Sequence, residues 1–303
     1  MSPLSENHQV QIRDRHVLFY APEYSSRKAA IEEHGDKIEA VLTLGNIGLT
    51  SLEIAAMPNL SFIGSQGVGY ERIDVAAAKS RGITVCNGAG TNAASVADHA
   101  MALLLATIRR VPEIDAATRA GVWRTELPML PAISGKRFGI VGLGAIGQKP
   151  ARRAAGFEME VAYHSRRQVP HAGYFYFDSL QELAVWCDIL ALCLPGGPDS
   201  HHLVGDTILN ALGPSGYLVN IARGSIVDTP ALARALRSGA IAGAAIDVYE
   251  SELVAPSELI DLPNVVLSPH LAARSPNAMN AMIDLFMENI RRHFAGETVL
   301  TPV

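Results

Sequence analysis

Three stretches of this chain have residue types and spacings that could do chemistry. The first is "VGLGAIG", in which Gly142, Gly144 and Gly147 follow the apolar run "RFGIV" and precede "QKPARRAAG". A strand, a glycine turn and a helix in that order form a phosphate cradle. The first glycine allows the tight turn, the second lets the backbone approach a pyrophosphate, and the third lets helix and strand pack closely. The helix N-terminus supplies N–H groups and a positive dipole end. Ala145 and Ile146 complete the turn. The second stretch is "HSRR". Ser165 lies 18 residues beyond Gly147, where dinucleotide sites usually place an acid that accepts from a ribose 2′-hydroxyl. A hydroxyl followed by Arg166 and Arg167 is suited instead to a 2′-phosphate, which guanidinium groups bind bidentately. NADP(H) is therefore the expected cofactor, with NAD(H) possible; the plainer reading of the two arginines is a solvated loop edge. His164 either neighbours the adenosine or is an ordinary surface histidine. The third stretch is "YLVNIARGSIVD", where Arg223 would present a fixed cation to a substrate carboxylate or carbonyl. Among ten histidines, residue chemistry alone leaves His270, His201 and His202 as competing acid/base candidates. His99, inside an apolar helical run, reads as structural.

These groups need a frame that brings strand ends together. Apolar runs at 16–21, 40–44, 60–65 and 83–87 read as strands. A helical segment, 95–121, follows, with Ser95 placed to cap it. A second series then runs "FGIVGLG", "EVAYHS", "DILALCLP", "YLVNIAR", "AGAAIDV" and "VVLSPH", with helical stretches such as "TPALARALRSGA" between them. Near-continuous apolar strands alternating with helices indicate parallel sheets covered on both faces. The expectation is an α/β protein of two doubly wound Rossmann-like domains, with the active site in the cleft between them. The substrate domain would comprise 1–95 plus 275–303, and the dinucleotide domain 96–274. The last amphipathic segment, 277–296, would return to the first domain. Pro195 and Ala222, at strand carboxyl ends, join the expected cofactor site.

The chain's 303 residues, 49% hydrophobic and 18% charged, suffice for about two domains. A net charge of −5 gives no reason to expect nucleic-acid or membrane-surface partners. Cys86, Cys187 and Cys193 have no metal or redox spacing, so reduced thiols and no metal site are expected. No signal-peptide or membrane-length apolar run is visible, and a cytoplasmic location is expected. The apolar stretch "AMALLLATI" would serve a homodimer interface.

The order and spacing of "GSQGVGYERIDV", "RGITVCN", "VGLGAIGQ", "YLVNIARGSIVD", "GAAIDVYESE" and "LPNVVLSPH" resemble the D-isomer-specific 2-hydroxyacid dehydrogenase family over almost the whole chain. By position, the resemblance implies that Arg223, Glu252 and His270 are the catalytic three. It implies that Gly67, Val68 and Gly69 form a carboxylate-binding loop, and that Asp247 meets the nicotinamide carboxamide. Trp123 falls in a region that in relatives reaches a neighbouring subunit's site; its plainer reading is an interface or core anchor. Four positions depart from the family pattern: Leu253 replaces a common proline, Asp98 a common glutamate, and Lys149-Pro150 is unusual in the cofactor helix. Arg274 is either a second cation at the pocket mouth or a solvated side chain.

The chemistry implied is reduction of a 2-oxo acid: a hydride to the carbonyl carbon and a proton to its oxygen. An imidazolium backed by a carboxylate can donate that proton near neutral pH. Formate-oxidising relatives pair this histidine with glutamine, whereas Glu252 is acidic. Glyoxylate and hydroxypyruvate are the expected substrates, aryl-pyruvates the alternative, and residues from Leu44 to Leu49 would line the deciding wall. A different class, a dinucleotide-sensing binding protein without turnover, is distinguished by an NADPH assay over a panel of 2-oxo acids.

Overall fold

The computed structural model describes residues 4–252 and 254–303. It divides into two compact units, Met1–Asn92 with Arg274–Val303, and Ala93–Ala273. The elements in chain order are α1 (Glu6–Arg13), α2 (Tyr24–His34), β1 (Ala40–Thr43), α3 (Ser51–Ala55), β2 (Phe62–Ser65), α4 (Val75–Ser80) and β3 (Thr84–Cys86). The second unit holds α5 (Ala93–Ile108), α6 (Val111–Arg119), β4 (Arg137–Val141), α7 (Gln148–Gly156), β5 (Glu160–His164), β6 (Phe175–Phe177), α8 (Leu180–Trp186) and β7 (Ile189–Leu192). It continues through α9 (Asp206–Leu212), β8 (Tyr217–Asn220), α10 (Thr229–Ser238), β9 (Gly243–Ile246), α11 (Ser257–Ile260) and β10 (Val265–Leu267), and α12 (Pro276–Phe294) follows in the first unit.

The first unit carries a parallel sheet of order β1-β2-β3. Its long helix α12 crosses β2 so closely that a side chain at Gly64 would strike the Phe286 ring. Gln11 on α1 donates to Asp284 at 2.7 Å, and Val303 N–H donates to Val85 at 2.9 Å, tying the C-terminal residues to the sheet edge. Residues 16–21, expected as a strand, carry none. Their apolar side chains are not matched by a backbone ladder.

The second unit is a seven-stranded parallel sheet, β10-β9-β8-β7-β4-β5-β6. Strand order reverses between β4 and β7, which is where open α/β sheets bind ligands. Successive residues serve opposite faces. Ile189 and Ala191 join Val96, Leu104 and Ala151 under α5 and α7, while Leu190 and Leu192 join Leu183, Leu209 and Leu232 under α8, α9 and α10. Both faces are therefore dry, which explains the unbroken apolar runs. The edge strand β6 has three residues and escaped the apolar pattern.

The expected single helix over 95–121 is two. Arg110 adopts φ 48°, breaking the helix before α6. Ser95 does not cap, because α5 begins at Ala93 and the Ser95 hydroxyl donates to Ala272 O at 2.8 Å. The apolarity of α5 is also accounted for within the chain, since Val96, Met101, Leu103, Leu104 and Ile108 are buried in this unit's own core. Asp98 pairs with Arg153, joining α5 to α7. No helix among the described residues is long and apolar enough to cross a membrane.

Candidate active site

Strand register gathers the candidate residues of the second unit along one edge. Val141 pairs with His164 and with Leu192; Leu192 pairs with Asn220, Asn220 with Ile246, and Ile246 with Leu267. These six form one row at the carboxyl edge of the sheet. Gly142, Ser165, Pro195, Ala222, Arg223, Asp247 and His270 all emerge within three residues of it.

At the reversal point, Gly142 has φ 93°, and a Cβ on Gly147 would lie 2.1 Å from Gly142 O. Only glycine closes the turn this tightly. A Cβ on Gly144 would meet nothing within 4 Å, so the turn's outer side is open, with Ala145 exposed and Ile146 half-buried beside it. The N-terminus of α7 begins here, and its first-turn N–H groups lack intrahelical partners by construction. These features fit a dinucleotide pyrophosphate. One strand along, Arg166 and Arg167 are exposed. The Ser165 hydroxyl donates to Arg167 O at 2.6 Å. His164 is held at the sheet edge by Phe177 O, 2.9 Å from Nδ1.

Arg223 follows β8 through a fixed bend. The buried Asn220 accepts from Ala222 N–H at 3.0 Å and donates to Arg223 O at 3.0 Å. One Arg223 guanidinium nitrogen donates to Ala222 O at 2.6 Å. The next residue, Gly224, is jammed on the following strand's exit: a Cβ there would lie 1.9 Å from Tyr249 C. A side chain at Gly196 would strike Arg223 Cγ at 2.9 Å, so the loop after β7 also lies against this arginine. Pro195, exposed on that loop, accepts from the buried Ser200 hydroxyl at 3.0 Å.

His270 Nδ1 lies 2.8 Å from Glu252 Oε1. The hydrogen bond to Glu252 raises the imidazole pKa above its ordinary 6.5. Partial burial opposes this; the charges of Glu252 and Asp247 add to it, and the Arg223 guanidinium acts against it. Arg223 is thus near enough to act electrostatically on His270. The histidine backbone adopts φ 55°, a left-handed conformation uncommon outside glycine. Asp247, fully buried, holds it there. The Asp247 carbonyl accepts from His270 N–H at 2.8 Å, and its carboxylate accepts from Leu271 and Ala272 N–H at 2.9 and 3.0 Å. Residue type and spacing gave no sign of this clamp. The same carboxylate lies 3.3 Å from His99 Nε2, which also contacts Ser268 Oγ at 2.9 Å. Tyr249 adds a bond to Ser268 O at 2.7 Å. His99, read as structural, supports Asp247 and Ser268; Ser268, Tyr249 and Asn220 were not singled out, although Asn220 and Tyr249 carried a readable signal, polar atoms in otherwise apolar strand exits. Leu253 lies outside the described residues.

The other histidine candidates also have a carboxylate. His202 Nε2 is 2.7 Å from Glu250 Oε1, and the His201 and His202 rings stack at 4.0 Å. Pairing with a glutamate therefore does not by itself single out His270, which in addition feels the charges of Asp247 and Arg223.

In the first unit, Gly67, Val68 and Gly69 follow β2. Their three carbonyls are all taken, by Gly88 N–H at 2.8 Å, Asn87 Nδ2 at 2.9 Å and Ser65 Oγ at 2.5 Å. These three hydrogen bonds fix the loop's course after β2. Leu44 opens a turn whose Gly45 abuts Gly69 O, so the two segments lie together. Trp123 is 67% exposed, in the irregular segment after α6, and Arg274 is exposed.

A doubly wound sheet with a pyrophosphate turn at its reversal point, and a carboxylate-backed imidazole along the same edge, defines a nicotinamide-dinucleotide-dependent oxidoreductase. Residues 101–272 match the family described as D-isomer specific 2-hydroxyacid dehydrogenase, NAD binding domain. Over 304 aligned residues, covering 100% of this chain and 97% of each relative, the chain is 37% identical to glyoxylate/hydroxypyruvate reductase A of Arabidopsis thaliana and 36% identical to hydroxyphenylpyruvate reductase of Plectranthus scutellarioides. Among solved structures, an NADPH-dependent glyoxylate/hydroxypyruvate reductase from Sinorhizobium meliloti, in complex with NADP and malonate, superposes with a TM-score of 0.82 at 38% identity, covering 88% of this chain and 84% of that one. The chain belongs to the D-isomer-specific 2-hydroxyacid dehydrogenase family.

Proposed function

We propose that this protein reduces small 2-oxo acids to D-2-hydroxy acids with NADPH, with glyoxylate and hydroxypyruvate as the leading substrates. The observation that carries the reading is the His270–Glu252 pair at 2.8 Å, with its raised pKa, on the same sheet edge as Arg223 and the glycine turn. A nicotinamide cofactor, when bound, would supply the hydride that reduces the carbonyl carbon. His270, anchored through Nδ1, presents Nε2 to the carbonyl oxygen and delivers the proton. Glu252 keeps the imidazole charged and oriented. Arg223 polarises the carbonyl and binds the carboxylate; in the first unit, Gly67, Val68 and Gly69 are proposed as substrate-binding residues. Gly142, Gly144, Ala145, Ile146 and Gly147 would hold the pyrophosphate, Pro195, Ala222 and Asp247 would serve the nicotinamide half, and Ser165, Arg166 and Arg167 would hold the 2′-phosphate.

Bulkier aryl-pyruvates are the second reading, favoured by the hydroxyphenylpyruvate reductase of Plectranthus scutellarioides, which is as similar as the glyoxylate-reducing relatives. Leu44 is proposed to line the wall that decides between them. Steady-state NADPH oxidation with glyoxylate, hydroxypyruvate and hydroxyphenylpyruvate tests the proposal. A kcat/KM for hydroxyphenylpyruvate above that for both small acids would reverse the order, and no turnover with any of them would overturn it.

We also propose a homodimer. Support comes from Trp123 and Met129, 67% and 99% exposed on one irregular segment, a large apolar exposure for a lone chain. Light scattering at micromolar concentration should give twice the chain mass, and a single-chain mass would refute it.

A further inference from the structure

The second His–Glu cluster described in the second unit has no part in the proposed reaction. His201 and His202 end the loop after β7, and Glu250 lies on the exit of β9. One ligand atom from each of the three lies within 4.8 Å of the other two. We propose that His201, His202 and Glu250 form an exchangeable binding site for a divalent cation of the zinc class.

The donor set suits such an ion. Two neutral imidazoles and one carboxylate match borderline metals, and three protein ligands leave a fourth position for water. At metal–ligand distances of about 2.0–2.1 Å, the donors of a tetrahedral site lie roughly 3.3 Å apart. His202 Nε2 and Glu250 Oε1, at 2.7 Å, would open slightly, and all three donors already lie within 4.8 Å of one another. Glu250 can only accept, so His202 Nε2 now carries the proton. A metal ion would take that proton's place, and the proton would leave to solvent.

The loop is braced for the purpose. Ser200, buried, donates to Pro195 O and Gly197 O at 3.0 and 3.2 Å. His202 holds φ 50° while its N–H donates to Ser225 O at 2.8 Å. The two rings stand stacked, 26° from parallel, and one donor atom of each lies near Glu250. Glu250 Oε2 accepts from Thr229 Oγ1 at 3.3 Å, an outer partner of the kind that orients a ligating carboxylate. All three ligands are exposed, which makes the site exchangeable and not a folding requirement.

Calorimetric titration of chelator-treated protein with zinc chloride tests this, alongside electron paramagnetic resonance with one equivalent of Cu2+. The expected result is one zinc per chain, with affinity falling at least ~10-fold in His201→Ala and in Glu250→Gln. The Cu2+ spectrum should show two coupled nitrogens in the wild type and one in His201→Ala. His202→Asn, which tolerates the left-handed backbone, should also leave one. Absence of stoichiometric zinc binding would overturn the proposal. So would unchanged affinity in His201→Ala and Glu250→Gln, or loss of zinc on replacing His270 instead.

Discussion

Replacing Arg166 with alanine should weaken NADPH selectively and leave NADH nearly unchanged. Arg166 and Arg167 stand exposed just past the row formed by His164 and Val141, with no carboxylate among residues 165–167 to repel a phosphate. Each charge-assisted hydrogen bond to an ionised group contributes roughly 1.5–3 kcal/mol. At 1.4 kcal/mol per decade, one lost contact corresponds to about 10- to 100-fold in KM. Exposure and salt screen the interaction, which places the expected loss near 10-fold. Ser165 should matter less. Its hydroxyl already donates to Arg167 O at 2.6 Å, so cofactor binding exchanges one hydrogen bond for another, and Ser165→Ala should cost only a few-fold at about 0.5–1 kcal/mol. Ser165→Asp should go further and reverse the preference, because its carboxylate would repel the phosphate and accept from a free 2′-hydroxyl. The assay is kcat/KM for both cofactors in the wild type and the three variants at fixed ionic strength. Equal losses for NADPH and NADH in Arg166→Ala would show that the two arginines are only a solvated edge.

Glu252→Gln should move the basic limb of the reductive kcat/KM profile to lower pH, since the Glu252 hydrogen bond is the largest cause of the raised His270 pKa. The sign for stability follows from the same shift: the pair stabilises the fold below about pH 6.5, and that contribution is lost as pH rises through the higher folded-state value. The variant's melting temperature should therefore fall relative to wild type at pH 5.5 and match it at pH 9, and a pH-independent difference would count against the pairing. Gly224→Ala must displace the Tyr249–Glu250 backbone. A loss of at least about 1–3 kcal/mol is expected, read as a lower melting temperature together with reduced kcat/KM; an unchanged variant would refute the close packing.

The phosphate turn was legible because it depended on residue type at fixed spacing. Gly142, Gly144 and Gly147 after an apolar strand, where the turn closes as their type requires, could be read directly. So could the two-series α/β pattern, because strands buried on both faces are apolar at every position. Two things were hidden because they depend on contacts distant in sequence. Ser95 had the composition of a cap, but a partner 177 residues away, Ala272, took its hydroxyl. The break at Arg110 was not hidden in this way, since Pro112 in the first turn of α6 is a readable boundary signal. The left-handed His270 and the buried Asp247 that clamps it are separated by a whole strand, so neither looked unusual alone. Likewise the His202–Glu250 pair joins residues 48 apart, and nothing local marked it.

The measurement that bears most directly on the central claim compares His270→Ala with His202→Ala, since both histidines are paired with a glutamate in this structure. NADPH oxidation with saturating glyoxylate or hydroxypyruvate gives kcat, and fluorescence titration gives NADPH affinity. His270→Ala should lower kcat by at least ~100-fold, the usual contribution of a positioned general acid, with NADPH affinity nearly unchanged and His202→Ala close to wild type. A His202→Ala loss equal to that of His270→Ala, or a His270→Ala enzyme that keeps its kcat, would contradict the account.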